Sequence, residues 1–244
     1  MKIALAAVGF ITNDTAYSLE KIKTLIEKYA SEVDLILFGE SFLQGFECLS
    51  WDYAKDVNIA VHQDSELIND IRAMCEINRV SVSFGYIEKD KDNLYSSQLT
   101  IDKNGETVDN FRRVSIGWKE PIADFHYVEG KGFGQFTYLD KTVSVALCGD
   151  LWYEDNCIQM KNLDSDIVLW PVYTDFDSQE WNESMKHEYA EQAEKCGNKV
   201  LYVNSYCLDQ NSKGIARGGA ALFSKGKIES EIPAGIEGVL VVEA

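Results

Sequence analysis

Two residues that could do chemistry sit at the ends of apolar runs. The run TVSVAL stops at Cys148 and hands over to Gly149 and Asp150, and the run VDLILF stops at Gly39 and hands over to Glu40. A small nucleophile delivered at a strand end, on a tight turn, is the geometry by which an α/β enzyme exposes a reactive atom above its sheet. Free cysteine also packs as a small hydrophobe, so Cys148 needs partners elsewhere to be a nucleophile. An unperturbed thiol, with a pKa of about 8.5, is mostly protonated at neutral pH, and a base must take its proton. The loop SFLQGFE that begins after Glu40 is rich in aromatic and apolar residues, which argues for a pocket wall.

The elements that must hold these groups can be read along the chain. KIALAAV, residues 2–8, suits a strand buried on both faces, and Asn13 to Thr15 supply capping chemistry for a helix. In that helix Ala16, Leu19, Ile22, Leu25, Ile26 and Tyr29 recur at three or four residues. Residues 65–78 repeat the spacing through Leu67, Ile68, Ile71, Met74 and Cys75. Strands are predicted at 80–87 and 94–101 around a solvated loop EKDKDN, and ETVDNFRRVS forms another after the Asn104–Gly105 turn. DIVLWPV at 166–172 and KVLYVNS at 199–205 read as buried strands. The helix between them places Trp181, Met185, Tyr189, Ala193 and Cys196 on one face, with a capping box from Asp177 and Glu180 and a stop at Gly197. Strands at 218–224 and 238–244 close the chain, with a turn SKGK between Phe223 and Ile228. This order implies a sheet with parallel and antiparallel members and helices packed on it.

Composition narrows the function classes. With 244 residues, 45% hydrophobic and 26% charged, the chain can bury a sizeable core, and without a polar linker or repeat it reads as a single domain over 1–244. The net charge of −17 repels nucleic acid and anionic membrane surfaces, so neither is expected as a partner. MKIALAAVGF is too short to span a bilayer and lacks a secretory cleavage pattern, so it reads as a first strand. Six cysteines without CxxC spacing fit free thiols in the cytoplasm. Three histidines without HxH or HExxH spacing give no expectation of a metal site.

Four stretches, in order, resemble the carbon–nitrogen hydrolase family, the nitrilase superfamily. They are DLILFGESFLQGFE, NFRRVSIGWKEP, VALCGDLWYED and GGAALFSKGKIESEI. The resemblance implies an α/β fold, a four-layer α-β-β-α sandwich with mixed sheets, usually paired as a homodimer. It implies hydrolysis of a small-molecule linear amide or related non-peptide C–N bond through a thioester on Cys148, with no metal or organic cofactor. Glu40 would be the general base, and a cation together with the Gly149 N–H would hold the oxyanion.

The family's lysine block reads aromatic-Arg-Lys-x-His, and here FRRVS places Arg113 at the lysine and Ser115 at the histidine. Arginine keeps the charge but cannot release a proton. Lys119 is the other candidate; a fully extended chain would put it about 20 Å from Arg113, so the segment must fold back, with Gly117 as hinge. Both stay open. Glu120 resembles the second glutamate of amidase members. Trp51, Trp118, Trp152, Trp170 and Tyr173 are candidate pocket walls, with Trp152 and Tyr173 as substrate contacts. Two alternatives stand beside hydrolysis: a catalytically weakened member acting as a binding or regulatory dimer, and an acyl transferase using the same thioester.

Overall fold

The computed structural model describes residues 1–209 and 214–244. The chain starts with β1 (Lys2–Ala7), β2 (Gly9–Phe10), α1 (Thr15–Tyr29) and β3 (Leu35–Phe38). After α2 (Tyr53–Asp56) and α3 (Glu66–Asn78), the strands β4 (Ser81–Asp90), β5 (Asn93–Ile101) and β6 (Thr107–Arg112) form a meander. Next come β7 (Phe136–Tyr138), β8 (Lys141–Val145), α4 (Glu154–Leu163), β9 (Ile167–Val172), α5 (Ser178–Glu180) and α6 (Lys186–Glu194). The last strands are β10 (Lys199–Asn204), β11 (Tyr206–Cys207), β12 (Ala220–Ser224), β13 (Lys227–Ile232) and β14 (Gly238–Glu243).

Two six-stranded sheets result, in the orders β14-β1-β3-β4-β5-β6 and β13-β12-β10-β9-β8-β7. In each, three strands run parallel at the centre, β1, β3 and β4 in one and β8, β9 and β10 in the other. Side chains alternate across a strand, so one strand feeds two seams. Ile3, Leu5 and Ala7 of β1 join Val143, Val145, Leu201 and Val203 of the second sheet. Ala4 and Ala6 belong instead with Ile22, Leu25 and Ile26 of α1 and Ile71 of α3. On the far side Val168 and Trp170 of β9 pack with Tyr189 and Ala193 of α6. Three apolar seams separate four layers, an α-β-β-α sandwich. This is why the central strands read as continuous apolar runs: both of their faces are covered.

Several local readings differ from the structure. EKDKDN is not a solvated loop: β4 continues through Asp90, and Lys91 and Asp92 alone make the turn. Glu88 is fully buried and takes two bonds from Arg112, at 2.8 and 2.7 Å. The helix before β10 is broken by a π turn at Trp181–Met185, and Asp177 caps α5 by accepting from the Gln179 N–H. The strand β6 stops at Arg112, so Arg113 begins a loop. The edge strand β13 is not legible in the sequence because KIESEI carries little apolar signal. Among the described residues, no helix is long and apolar enough to cross a membrane.

Candidate active site

Glu40 and Cys148 come from different sheets and meet where the strand ends converge. Glu40 follows β3, its N–H donates to Val172 O at 3.2 Å, and Ser205 Oγ donates to its carbonyl at 3.1 Å. Those bonds tie it to β9 and to the loop after β10 in the opposite sheet. Gly85 of β4 runs directly beneath: a Cβ there would lie 2.3 Å from Ser41 N and 2.6 Å from the Glu40 backbone. Only glycine permits that approach. The Glu40 carboxylate is fully buried and accepts from Ser96 Oγ at 2.8 Å and from Arg113 Nη1 at 3.0 Å.

Cys148 follows β8 with φ at +41°, a left-handed conformation that costs a non-glycine residue energy and persists only when its surroundings enforce it. Here Trp170 Nε1 donates to the Cys148 carbonyl at 2.8 Å, and a 3₁₀ turn starts at once, Cys148–Trp152. The thiol is aimed at Tyr173 O, 3.6 Å away. Burial pushes the Cys148 thiol up to about 11; Arg113 pulls it down and Glu40 adds to the rise. The thiol is therefore neutral at physiological pH and needs a base.

Arg113 is the cation beside this pair. Its Nε donates to Ser115 Oγ at 2.9 Å and its Nη1 to Glu40, leaving Nη2 without a bond among the described residues. A Cβ at Gly149 would lie 2.7 Å from that Nη2, so glycine at 149 lets the guanidinium lie against the turn that carries Cys148. Burial works against the Arg113 charge, but Glu40, Cys148 and Asp150 outweigh it and hold the guanidinium protonated. Lys119 is placed elsewhere. Its Nζ donates to Tyr127 O at 2.6 Å and pairs with Glu129 Oε1 at 2.7 Å. The chain makes a 3₁₀ turn at Ile116–Trp118 before Lys119, and its side chain is held by Tyr127 and Glu129.

Asp150 clips the two loops together. Its Oδ1 accepts from Val114 N at 3.0 Å and Ser115 N at 2.7 Å, while Oδ2 accepts from Leu147 N at 2.9 Å. Burial pushes its carboxyl up to about 6, against the pull of those N–H groups and Arg113. The register of Arg113 against Cys148 thus hangs on one buried side chain, and the CGD spacing was its signal in the sequence.

The thiol opens into a cleft of about 360 Å³ lined by Arg113, Cys148, Tyr173, Glu120, Phe46, Glu47, Trp51 and Trp118. Tyr173 and Glu120 thus reach the cleft. Trp152 does not: it lines a separate groove of about 490 Å³ with Cys157 and Ile158, because the 3₁₀ turn carries it outward against Tyr189. Trp170 is core beneath the nucleophile turn. Glu47 was not singled out from the sequence, although it lies in the aromatic loop read as a pocket wall; the Tyr173 hydroxyl donates to it.

A family model described as carbon-nitrogen hydrolase matches residues 2–243. An (R)-stereoselective amidase of Pseudomonas sp is 22% identical over 169 residues, 69% of this chain and 59% of its own. A nitrilase of Pseudomonas syringae pv. syringae is 30% identical over 122 residues, 44% of this chain and 35% of its own. The chain thus spans about three fifths of the amidase and about a third of the nitrilase. Among solved structures, an amidase from Nesterenkonia sp. AN1, in a variant with acrylamide added at its active-site cysteine, superposes with a TM-score of 0.76 at 16% identity. That match covers 100% of this chain and 93% of the other. A glutamine-dependent NAD+ synthetase from Acinetobacter baumannii gives 0.76 at 18% identity, covering 98% of this chain and 44% of that one.

Proposed function

The chain belongs to the carbon–nitrogen hydrolase family, and from that premise we propose that it hydrolyses a small non-peptide amide through a thioester on Cys148. The observation that carries this reading is the buried Glu40–Arg113 pair, 3.0 Å apart, beside a strand-end cysteine that opens into a cleft.

Each group has a step. As the Cys148 sulfur bonds the amide carbon, Glu40 takes the thiol proton, and the carbonyl oxygen becomes an oxyanion. Arg113 Nη2 and the Gly149 N–H, at the first turn of the 3₁₀ segment, are the donors for that charge. The tetrahedral intermediate collapses by breaking the C–N bond, and Glu40 returns its proton to the departing amine or ammonia. A water then attacks the thioester while Glu40 takes its proton; the acid departs and that proton restores the thiol. Arginine serves this sequence because its task is to hold charge, and the proton moves through Glu40 alone.

The Arg113 substitution also favours a second reading, a weakened member that binds without turning over. The two part on a panel of linear amides and nitriles assayed for ammonia. The hydrolytic reading expects release that is lost in Cys148→Ala; no release from any substrate, or equal release by the variant, would overturn it. Adding hydroxylamine separates hydrolysis from acyl transfer, because a transferase diverts its thioester to the amine.

A further inference from the structure

We propose that the cleft selects an amide bearing an alkylammonium group, seated against Glu47 and an aromatic wall formed by Phe46, Trp51, Trp118 and Tyr173. The inference rests on the hydrolytic reading of Cys148 and deepens it by naming the class of substrate. Its first support is charge. Arg113 is the cation on the lining among the described residues, and it is committed to Glu40. Glu47 and Glu120 face the same cleft, and among the described residues neither has an ion-pair partner.

The second support is independent of charge count. Phe46 meets Tyr173 edge-on at 5.1 Å and lies 6.4 Å from Trp118, which in turn lies 6.2 Å from Trp51. Aromatic faces joined to a carboxylate are the combination that holds an organic cation, because ring quadrupole and carboxylate both favour positive charge in a partly dry site. Trp118 is 5% exposed and packs with Leu49 and Tyr127, so this wall is held in place by the core beneath it.

Tyr173 fixes the distance between the two ends. Its carbonyl accepts from the Cys148 thiol and its hydroxyl donates to Glu47. The carboxylate and the nucleophile are therefore linked through one tyrosine, a span that a short methylene chain can bridge. Burial, with Asp209 and Asp175 nearby, pushes the Glu47 carboxyl up, so a bound cation relieves a cost that the free site carries.

The test compares 6-aminohexanamide with heptanamide, which match in length and differ in the terminal charge. The wild-type protein is expected to favour the ammonium amide in kcat/KM by at least about tenfold, the size of one such contact. Glu47→Gln should bring that ratio close to one, and Tyr173→Phe, which keeps the ring but removes the hydroxyl that favours the charged Glu47 carboxylate, should lower it. A wild-type ratio at or below one, or a ratio unmoved by Glu47→Gln, would overturn the proposal. Should neither amide be turned over, the amide and nitrile panel decides the hydrolytic reading and calorimetry on Cys148→Ala decides the present one. Hexylammonium binding more tightly than hexanol, and losing that advantage in Cys148→Ala/Glu47→Gln, supports it; equal binding of the two overturns it.

Discussion

Replacing Arg113 with alanine is expected to lower kcat/KM by about 10²- to 10³-fold, the cost of removing one donor from an oxyanion site. The same change at Lys119 should leave turnover essentially intact. Both residues lie in one segment and carry one charge, so the contrast tests placement. Arg113 is buried against Glu40 with Nη2 free toward the nucleophile turn, whereas Lys119 is held by Tyr127 O and Glu129. Arg113→Ala also strands the buried Glu40 carboxylate, at a cost of about 3–5 kcal/mol of stability, so thermal melts must accompany the kinetics. Arg113→Lys supplies the control: it keeps the charge, loses the fork that reaches Ser115 and Glu40 together, and should fall between wild type and Arg113→Ala. Equal losses from Arg113→Ala and Lys119→Ala would remove Arg113 from the oxyanion role.

Glu40→Gln separates two properties that usually move together. With the Cys148 thiol pushed up to about 11, the thiol form dominates at pH 7. Activity at that pH therefore depends on removing the proton as the bond forms, and losing the base should cost about 10²- to 10⁴-fold in kcat. The acidity of the thiol moves the other way. Ionised Glu40 raises the Cys148 pKa and Arg113 lowers it, so a neutral Gln leaves the lowering influence alone. The thiolate fraction in the variant rises at every pH below the thiol pKa. Iodoacetamide should then alkylate Cys148 in Glu40→Gln faster than in wild type at pH 8, while amide turnover collapses. Residual turnover in the variant, which now waits for free thiolate, should climb with pH, by up to about tenfold per unit, until it levels off at the thiol pKa. A variant that loses alkylation and turnover in parallel would mean that Glu40 only shapes the site.

How far the sequence could carry this account is clearest at FRRVS. The periodicity of VDLILF and TVSVAL placed Glu40 and Cys148 at strand ends, because strands covered on both faces must be apolar throughout. Neighbouring arginines could not be told apart. Arg112, the last residue of β6, turns to Glu88 and Asp90 and lies 3.9 Å over the Tyr95 ring, while Arg113 enters the loop and turns to Glu40. That division depends on the point where β6 ends, which Asp150 fixes from 35 residues away by binding Val114 N and Ser115 N. Lys119 reads equally well from the sequence, because only the fold sets Glu129 beside it. Trp152 failed as a cleft residue for a local reason: the tight turn after Cys148 rotates it outward, and composition carries no such information. Glu47 is legible in the sequence, as the one carboxylate of the aromatic loop SFLQGFE that reads as a pocket wall.

The central claim is a thioester on Cys148, and intact-protein mass spectrometry during amide turnover tests it most directly. The account predicts an added mass equal to the acyl group, mapped by peptide digestion to Cys148, formed in wild type with a slowly hydrolysed amide and absent in Cys148→Ala. An adduct that persists in Cys148→Ala, or maps to any of the other five cysteines, would contradict it.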